Sequence, residues 1–229
     1  MRSLFASLRN ASYRLRTALD RRFLKRRIAR RFHQLYYGSG VDRRTNWLGK
    51  PVWKCPLDLW VYQEILFETR PDVIVECGTA LGGSAFFYAS VCDLLQNGRI
   101  VTIDMQRRPG LVDHPRIRYL VGSSIDPEIV SQVRTHIADA KRVMVVLDSN
   151  HACEHVLKEL RLYGPLVSRG NYLVVEDSNI NGHPVLPSFG PGPMEAIQEF
   201  MRESKDFVID SEREKFFVTY NPMGYLRRV

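Results

Sequence analysis

Short runs of apolar, β-branched residues alternate with helical patterns through most of this chain. The strand-like runs are VIVEC (73–77), RIVTID (99–104), IRYLV (117–121), VMVVLD (143–148) and YLVVED (172–177). The helical patterns cover residues 57–69, 82–96, 127–138, 154–167 and 193–204. Because each connection between parallel strands must cross over with a right hand and cover the sheet, this order predicts a doubly wound α/β sandwich. FVID (207–210) and KFFVTY (215–220) are close enough to form an antiparallel hairpin at its end, which brings the sheet to seven strands.

The positive charge of the chain is concentrated in its first segment. The formal net charge is +8, yet residues 1–50 hold 14 Lys and Arg against Asp20 and Asp42, and residues 51–229 are slightly acidic. Leucines and other apolar residues recur among these cations with roughly the helical period, so residues 1–37 are predicted to form a cationic amphipathic arm. Three uses stay open: peripheral contact with an anionic membrane through residues 1–31, contact with nucleic acid, or packing on another subunit of a homo-oligomer.

The rest of the chain restricts these alternatives. We do not expect a nucleic-acid partner, because residues 51–229 hold 19 Lys and Arg against 23 Asp and Glu. We expect neither a signal peptide nor a membrane span, and the four scattered cysteines indicate free thiols in a reducing cytoplasm. Residues 38–56 are interpreted as a linker or a loop leading into one domain over residues 57–229.

Ligands of open parallel sheets bind beyond the carboxyl ends of the strands, and polar residues collect there in this sequence. VIVEC continues into GTALGGS, in which the glycines at 78, 82 and 83 do not fit the spacing of a dinucleotide fingerprint. Glu76 would repel a diphosphate, whereas S-adenosylmethionine (SAM), which carries an amino group, would be attracted. An ordinary glycine turn is the alternative. The predicted SAM loop comprises Glu76, Gly78, Thr79, Gly82, Gly83 and Ser84.

Two further strand ends extend this prediction. Asp104 follows the second strand, where a carboxylate can accept hydrogen bonds from both hydroxyls of a ribose. Ser123 and Ser124 follow the third strand and either cap the helix that begins near Pro127 or also face an adenine ring.

Three carboxylates end two strands that are predicted to be neighbours. Asp148, Glu176 and Asp177 would repel one another without a partner, so we predict that they hold a hard divalent cation, with Mg²⁺ preferred and Mn²⁺ or Ca²⁺ allowed. Pairing with arginines or helix capping is the alternative. His151 would then lie beside the metal as a general base, and Asp148 would also border SAM.

The segment SNINGHPVLPSFGPGP (178–193) follows these carboxylates and is rich in proline and glycine. Proline limits the movement of a loop and glycine permits close approach, so the segment is predicted to form a wall over an acceptor, with Asn179 and His183 as substrate contacts.

Several long motifs resemble the cephalosporin hydroxylase family of SAM-dependent methyltransferases. They are ECGTALGGSAFFYAS, LDSNHACEHVLKEL, YLVVEDSNINGHPVLPSFGPGP and PMGYLRRV, and the likeness covers about residues 45–229. VVEDSNINGHPVLP and FGPGP are most similar to the mycobacterial rhamnosyl O-methyltransferases of that family. The resemblance implies a Rossmann-like methyltransferase sandwich, SAM held by the Glu76–Ser84 loop and Asp104, Mg²⁺ on the three carboxylates, and His151 as base.

The resemblance also implies an acceptor. It favours methylation of a sugar hydroxyl, of the rhamnosyl type, on a glycolipid or surface glycan. The family name leaves other hydroxyls open, on a polyketide, a catechol or a β-lactam, and a SAM-binding helper without catalysis is the non-enzymatic alternative.

Overall fold

A computed structural model describes residues 24–229, together with Asn10, Tyr13, Arg14 and Thr17. The predicted arm is therefore described from Leu24 onwards, and apart from those four residues the expectation for residues 1–23 lies outside the described part of the chain. Within the described part, no helix is both long and apolar enough to cross a membrane.

From Lys25 onwards the chain forms six α-helices and nine strands, with three short 3₁₀ turns between them. The helices are α1 (Lys25–Gly38), α2 (Pro56–Thr69), α3 (Gly83–Leu95), α4 (Pro127–His136), α5 (Cys153–Tyr163) and α6 (Pro193–Glu203). The strands are β1 (Asn46–Trp47), β2 (Lys50–Pro51), β3 (Val73–Cys77), β4 (Arg99–Asp104), β5 (Ile117–Val121), β6 (Val143–Leu147), β7 (Tyr172–Val175), β8 (Phe207–Ile209) and β9 (Tyr225–Arg228). The segment predicted as a linker contains the small β1–β2 hairpin.

The main sheet has seven strands in the order β5-β4-β3-β6-β7-β9-β8. Strands β3 to β7 are parallel, whereas β9 runs antiparallel to both β7 and β8. The predicted fold class is confirmed. The order reverses between β3 and β6, and such a switch point opens a crevice at the carboxyl ends of the strands.

Alternate residues of the strands supply two apolar layers, as the two-residue period of a strand requires. Val73, Val75 and Cys77 face the cluster that includes α4, α5 and α6, whereas Ile74 faces the cluster that includes α2 and α3. Both faces of β3 are fully buried. The pairing of β3 with β4 and β6 then sets where its carboxyl end emerges.

The predicted terminal hairpin is present, but one of its strands was wrongly placed. The partner of β8 is β9, and residues 215–220 form an irregular segment after a 3₁₀ turn at Ser211–Glu214. Phe217 adopts a positive φ of 72°, which is incompatible with a continuous strand. The apolar alternation of KFFVTY indicated a strand, but tertiary contacts of its last residues determine the conformation.

Asp58 on α2 makes these contacts. Its carboxylate is buried and accepts hydrogen bonds from the backbone N of Tyr220 (2.8 Å) and the hydroxyl of Tyr225 (2.9 Å). Burial raises the pKa of Asp58 from 3.8 to about 6, because desolvation outweighs the stabilising effect of these hydrogen bonds. Asp58 thus connects α2 to the C-terminal segment. Because its pKa is raised, the folded state loses stability when Asp58 ionises.

We expect Asp58 to give the fold a specific pH dependence. A carboxyl with a raised pKa in the folded state contributes stability when protonated, and that contribution is lost as the pH rises through the window from about 4 to 6. The shift corresponds to roughly 3 kcal/mol. Relative to Asp58→Asn, the wild-type free energy of unfolding in urea should therefore fall by about 2–3 kcal/mol between about pH 4 and pH 7. A difference that stays constant with pH would contradict this, and the exposed Asp113→Asn serves as control.

Candidate active site

The carboxyl ends of β3, β4 and β6 meet at one level of the sheet. Cys77 is paired with Ile103 on one side and with Leu147 on the other. The next residues along each strand, Gly78, Asp104 and Asp148, therefore emerge together at the switch point. The sequence places its polar residues where this topology forms a crevice.

A cleft of about 450 Å³ opens at this edge. Five of the predicted cofactor residues line it, and the structure adds others that sequence reasoning missed. The predicted ones are Gly78, Asp104, Ser123, Ser124 and Asp148, and the added ones include Met105, Arg108, Asn150 and His155. These residues come from the loops after four strands and, for His155, from helix α5, so the cleft is a product of the fold rather than of one motif.

Asp104 is held in a fixed orientation at the rim of the cleft. Its Oδ2 accepts a hydrogen bond from the backbone N of Ala80 at 2.8 Å, and its Oδ1 accepts one from the backbone N of Gln106 at 3.2 Å. The first bond joins the end of β4 to the glycine loop after β3. The two predicted parts of a SAM site are thus physically linked.

Different constraints of backbone conformation and packing act on the three glycines of the loop. Gly78 has a φ of +107°, and a Cβ there would lie 1.9 Å from the carbonyl oxygen of Asp148. Gly82 has a φ of +75°. A Cβ on Gly83 would lie 2.0 Å from the carbonyl oxygen of Pro51, so its packing against the end of β2 already requires a glycine.

Glu76, Thr79 and Ser84 lie behind the cleft, where they are buried. Oε2 of Glu76 accepts a hydrogen bond from the Thr102 hydroxyl at 2.6 Å, and that hydroxyl is 2.7 Å from the Thr79 hydroxyl. Burial raises the pKa of Glu76 to about 7. Its Oε1 has no hydrogen-bond partner among the described residues. A buried oxygen without a partner is costly, so Oε1 is a candidate acceptor for a hydrogen bond from a ligand.

A second group of side chains converges beside the cleft. Ligand atoms of Asp148, His151 and Asp177 all lie within 4.8 Å of one another, and Nε2 of His151 is 3.2 Å from Oδ2 of Asp177. Asp177 has a φ of 54°, an uncommon backbone for a residue other than glycine. Burial raises the pKa of Asp177, and the nearby His151 opposes that shift. Two of the three predicted metal ligands and the predicted base are thus together.

The third predicted ligand, Glu176, has a different environment. Its Oε1 accepts hydrogen bonds from Nζ of Lys54 and from the hydroxyl of Tyr62, each at 2.6 Å. Lys54 also donates to Oδ2 of Asp148 at 2.8 Å. Burial alone would lower the pKa of Lys54, but the carboxylates of Asp148 and Glu176 raise it well above its usual range.

Sequence reasoning missed Lys54 and Tyr62. Lys54 falls in the segment interpreted as a linker, where no periodicity marks it, yet its side chain is only 3% exposed. The alternative prediction for these carboxylates is pairing with arginines. Asp148 and Glu176 do pair with a cationic side chain, but it is the lysine at position 54. Glu176 is not among the side chains that converge with Asp148, His151 and Asp177, so its role as a metal ligand stays a prediction.

The two predicted substrate contacts on the loop of residues 178–193 differ in their exposure to solvent. Nε2 of His183 is 2.9 Å from Oε1 of Glu195, and the imidazole is about one third exposed. Asn179 is fully buried, with its amide nitrogen 3.0 Å from Nε2 of His33. A substrate contact by Asn179 stays a prediction, and it would require the side chain to leave its contact with helix α1.

The family model described as "Rhamnosyl O-methyltransferase/CmcI" matches residues 39–229. The rhamnosyl O-methyltransferase of Mycobacterium tuberculosis (strain H37Rv) is 43% identical over 208 residues, which is 88% of this chain and 85% of that protein. The rhamnosyl O-methyltransferase of Mycobacterium leprae is 40% identical over 207 residues, with 88% of this chain and 90% of that protein covered.

Solved structures agree on the fold. An apo structure of CmcI has a TM-score of 0.64 at 21% identity and covers 82% of this chain and 77% of that one. A putative caffeoyl-CoA O-methyltransferase from Staphylococcus aureus has a TM-score of 0.52 at 17% identity, with 69% of this chain and 78% of that one covered. At these identities the likeness concerns the arrangement of the sheet and helices.

Proposed function

The chain belongs to the rhamnosyl O-methyltransferase/CmcI family, and we propose that it transfers the methyl group of SAM to a hydroxyl of a rhamnosyl-type sugar. The observation that carries this proposal is the position of the Asp148, His151 and Asp177 group directly beside the cleft, with Asp148 common to both. A methyl donor in the cleft and an acceptor hydroxyl at this group would be neighbours. Such proximity is itself a large part of catalysis of a two-substrate reaction.

SAM fits the cleft by the chemistry of its residues. Asp104 would accept hydrogen bonds from the ribose hydroxyls, and Ser123 with Ser124 would border the adenine. The unsatisfied Oε1 of Glu76 supports a cationic ligand, since the amino group of SAM would satisfy a buried oxygen that the described residues leave unpaired. Thr79, Gly82, Gly83 and Ser84 would act indirectly, by shaping the loop.

Asp148 and Asp177 fit a hard divalent cation, with Mg²⁺ preferred and Mn²⁺ or Ca²⁺ as alternatives, because carboxylate oxygens are the ligands that such ions prefer. Bound there, the ion would supply Lewis acidity that lowers the pKa of an acceptor hydroxyl. Lys54 fixes Oδ2 of Asp148 in place and counters the negative charge that gathers at this end of the sheet. Glu176 would be the third ligand.

His151 would remove the proton of the acceptor hydroxyl as the methyl group is transferred. Its Nε2 lies 3.2 Å from Oδ2 of Asp177, so the imidazole is directed into the group and Asp177 would stabilise the charge that it gains. The acceptor oxygen would then attack the methyl carbon in line with the bond to sulfur. S-adenosylhomocysteine leaves, and the proton remains on His151 until solvent takes it.

We expect His151→Ala to lower the rate of the chemical step by about 10²-fold, the usual size of general-base catalysis. SAM affinity should stay close to wild type, because His151 does not border the cleft. Single-turnover transfer at saturating SAM measures the first quantity and titration calorimetry the second. His155→Ala is the matched control, because His155 lines the cleft and should affect SAM affinity more than the chemical step. A wild-type rate in His151→Ala would remove this residue from the mechanism.

The acceptor is tested by a panel with SAM held constant. Soluble rhamnosides should be methylated, whereas catechols, polyketide aglycones and β-lactams should be poor acceptors. Turnover of a non-sugar at a higher rate would replace the sugar in this proposal. SAM binding with no turnover on any acceptor would favour the helper protein instead.

The setting of the reaction is also a proposal. We place the enzyme in the cytoplasm, acting on a lipid-linked glycan at the inner face of the membrane, as a homo-oligomer that has no nucleic-acid partner. His183, partly exposed on the loop after Asp177, would contact the acceptor. Equal activity on soluble and lipid-linked rhamnosides would argue against a membrane-bound acceptor.

A further inference from the structure

Helix α1 has an inner face that attaches it to the domain. His33 is buried, its ring stacks on Tyr220 with centroids 5.7 Å apart, and its Nε2 is 3.0 Å from the Asn179 amide. Tyr37 packs edge-on against Tyr220 at 5.4 Å. The helix is therefore fixed in orientation, and its opposite face is presented outward.

The outward face is apolar. Leu24, Ile28, Phe32 and Leu35 follow one another at intervals of four, four and three residues, the spacing of one side of a helix. Each is at least 42% exposed, and Leu35 is 71% exposed. Solvent-exposed apolar residues are ordinary when scattered, but an ordered stripe of them marks a surface that another apolar phase covers.

The stripe is bordered by positive charge. Lys25, Arg26, Arg27, Arg30 and Arg31 all belong to the same helix, which contains no acidic residue. Arg27 and Arg31 are exposed at the edge of the stripe. Among the described residues, the four arginines of this set make no ion pair within the chain, and Lys25 lies over the ring of Phe217.

This combination selects the occupant. A second copy of the chain laid stripe to stripe would bring five like charges on each helix into proximity, at an electrostatic cost. An anionic bilayer surface avoids this repulsion, because its headgroups neutralise the flanking cations. Its acyl region also covers the apolar stripe. We propose that the outer face of helix α1 docks the enzyme on anionic phospholipid, with Leu24, Ile28, Phe32 and Leu35 inserted and Arg27 and Arg31 at the headgroups.

Helix α1 also contacts the loop that follows Asp177. Nε2 of Gln34 donates a hydrogen bond to the carbonyl oxygen of Pro184 at 3.1 Å, which ties the helix to the loop that follows Asp177. Leu186 and Phe189 on this loop are also nearly half exposed. Docking would hold this loop near the lipid surface. The proposal concerns binding to lipid and stands whether or not the proposed acceptor is correct.

The test uses the full chain and cosedimentation with vesicles. Wild type should bind vesicles that contain phosphatidylglycerol and should bind pure phosphatidylcholine much more weakly. Ile28→Asp with Leu35→Asp should lower the apparent affinity about tenfold or more, since two inserted side chains are lost. Arg27→Glu with Arg31→Glu should lower it about tenfold or more and remove the preference for the anionic lipid.

Two control variants match these changes elsewhere on the surface. Leu94→Asp replaces a leucine that is 84% exposed on α3, and Lys158→Glu reverses an exposed cation on α5. Both should bind vesicles as wild type does. All variants should methylate a soluble rhamnoside at the wild-type rate, which separates loss of docking from loss of catalysis. Unchanged vesicle binding by the α1 variants would overturn the proposal, and a drop in oligomeric mass with unchanged vesicle binding would assign the stripe to a second copy.

Discussion

Replacement of Asp148 with asparagine is expected to lower methyl transfer by about 10³-fold, the largest loss of activity that this site predicts. Asp148 is the one residue that both lines the cleft and belongs to the cluster with His151 and Asp177. Asparagine keeps the shape of the side chain but removes the negative charge that would hold a cation. Several kcal/mol of transition-state stabilisation would be lost, and each 1.4 kcal/mol corresponds to about a tenfold change in rate.

The fold should tolerate this change, because Lys54 keeps Glu176 as a partner. SAM should still bind within a few-fold of wild type, so the loss should appear in the rate at saturating SAM. Excess chelator should reduce wild-type turnover to a similar extent and should have little effect on the variant. Asp104→Asn is the contrasting control, because this variant should weaken SAM binding rather than lower the rate at saturating SAM. Undiminished turnover of the wild type in chelator would eliminate the metal from this account.

Substitution of Gly78 by alanine is expected to have the largest effect on stability. The added Cβ would lie 1.9 Å from the carbonyl oxygen of Asp148, and the φ of +107° is unfavourable for any residue with a side chain. Both atoms of the clash belong to or adjoin the backbone, so no side chain can turn aside. We expect a loss of roughly 3 kcal/mol or more in the free energy of unfolding, together with loss of SAM binding.

Gly170→Ala separates the two causes of this effect. Gly170 also has a positive φ, of +84°, but a Cβ there would meet no heavy atom within 4 Å. Gly170→Ala should therefore lower the free energy of unfolding by only about 1 kcal/mol, from backbone strain alone. Urea unfolding measures both variants. Equal losses for Gly78→Ala and Gly170→Ala would show that the close approach of the loop to β6 is unimportant.

The sequence predicted the fold well because the signals that determine it are local. VIVEC, VMVVL and YLVV are continuous β-branched runs, and a strand buried on both faces needs no other pattern. Topology then places the residues after them at one edge, which is why the cleft and the pair of aspartates were predictable. The long motifs also identified the family, which the match over residues 39–229 confirms.

Features that depend on distant contacts could not be predicted in this way. Lys54 meets Asp148 and Glu176, which lie 94 and 122 residues further along the chain, and its local sequence carries no sign of burial. KFFVTY alternates as a strand does, yet Tyr220 bonds to Asp58, 162 residues away. The sequence predicts that Asn179 contacts a substrate, but its amide packs on His33 of helix α1, 146 residues earlier in the chain.

We propose that this edge of the sheet joins a SAM cleft to a metal-assisted acceptor site for a sugar hydroxyl. The most direct test of this proposal is mass spectrometry of a rhamnosyl glycolipid after incubation with the purified protein, isotopically labelled SAM and Mg²⁺. We predict that one labelled methyl group appears on the rhamnosyl ring, and that chelator or Asp148→Asn prevents its appearance. Label on another part of the acceptor, or label on the sugar at an equal rate in excess chelator, would contradict the account.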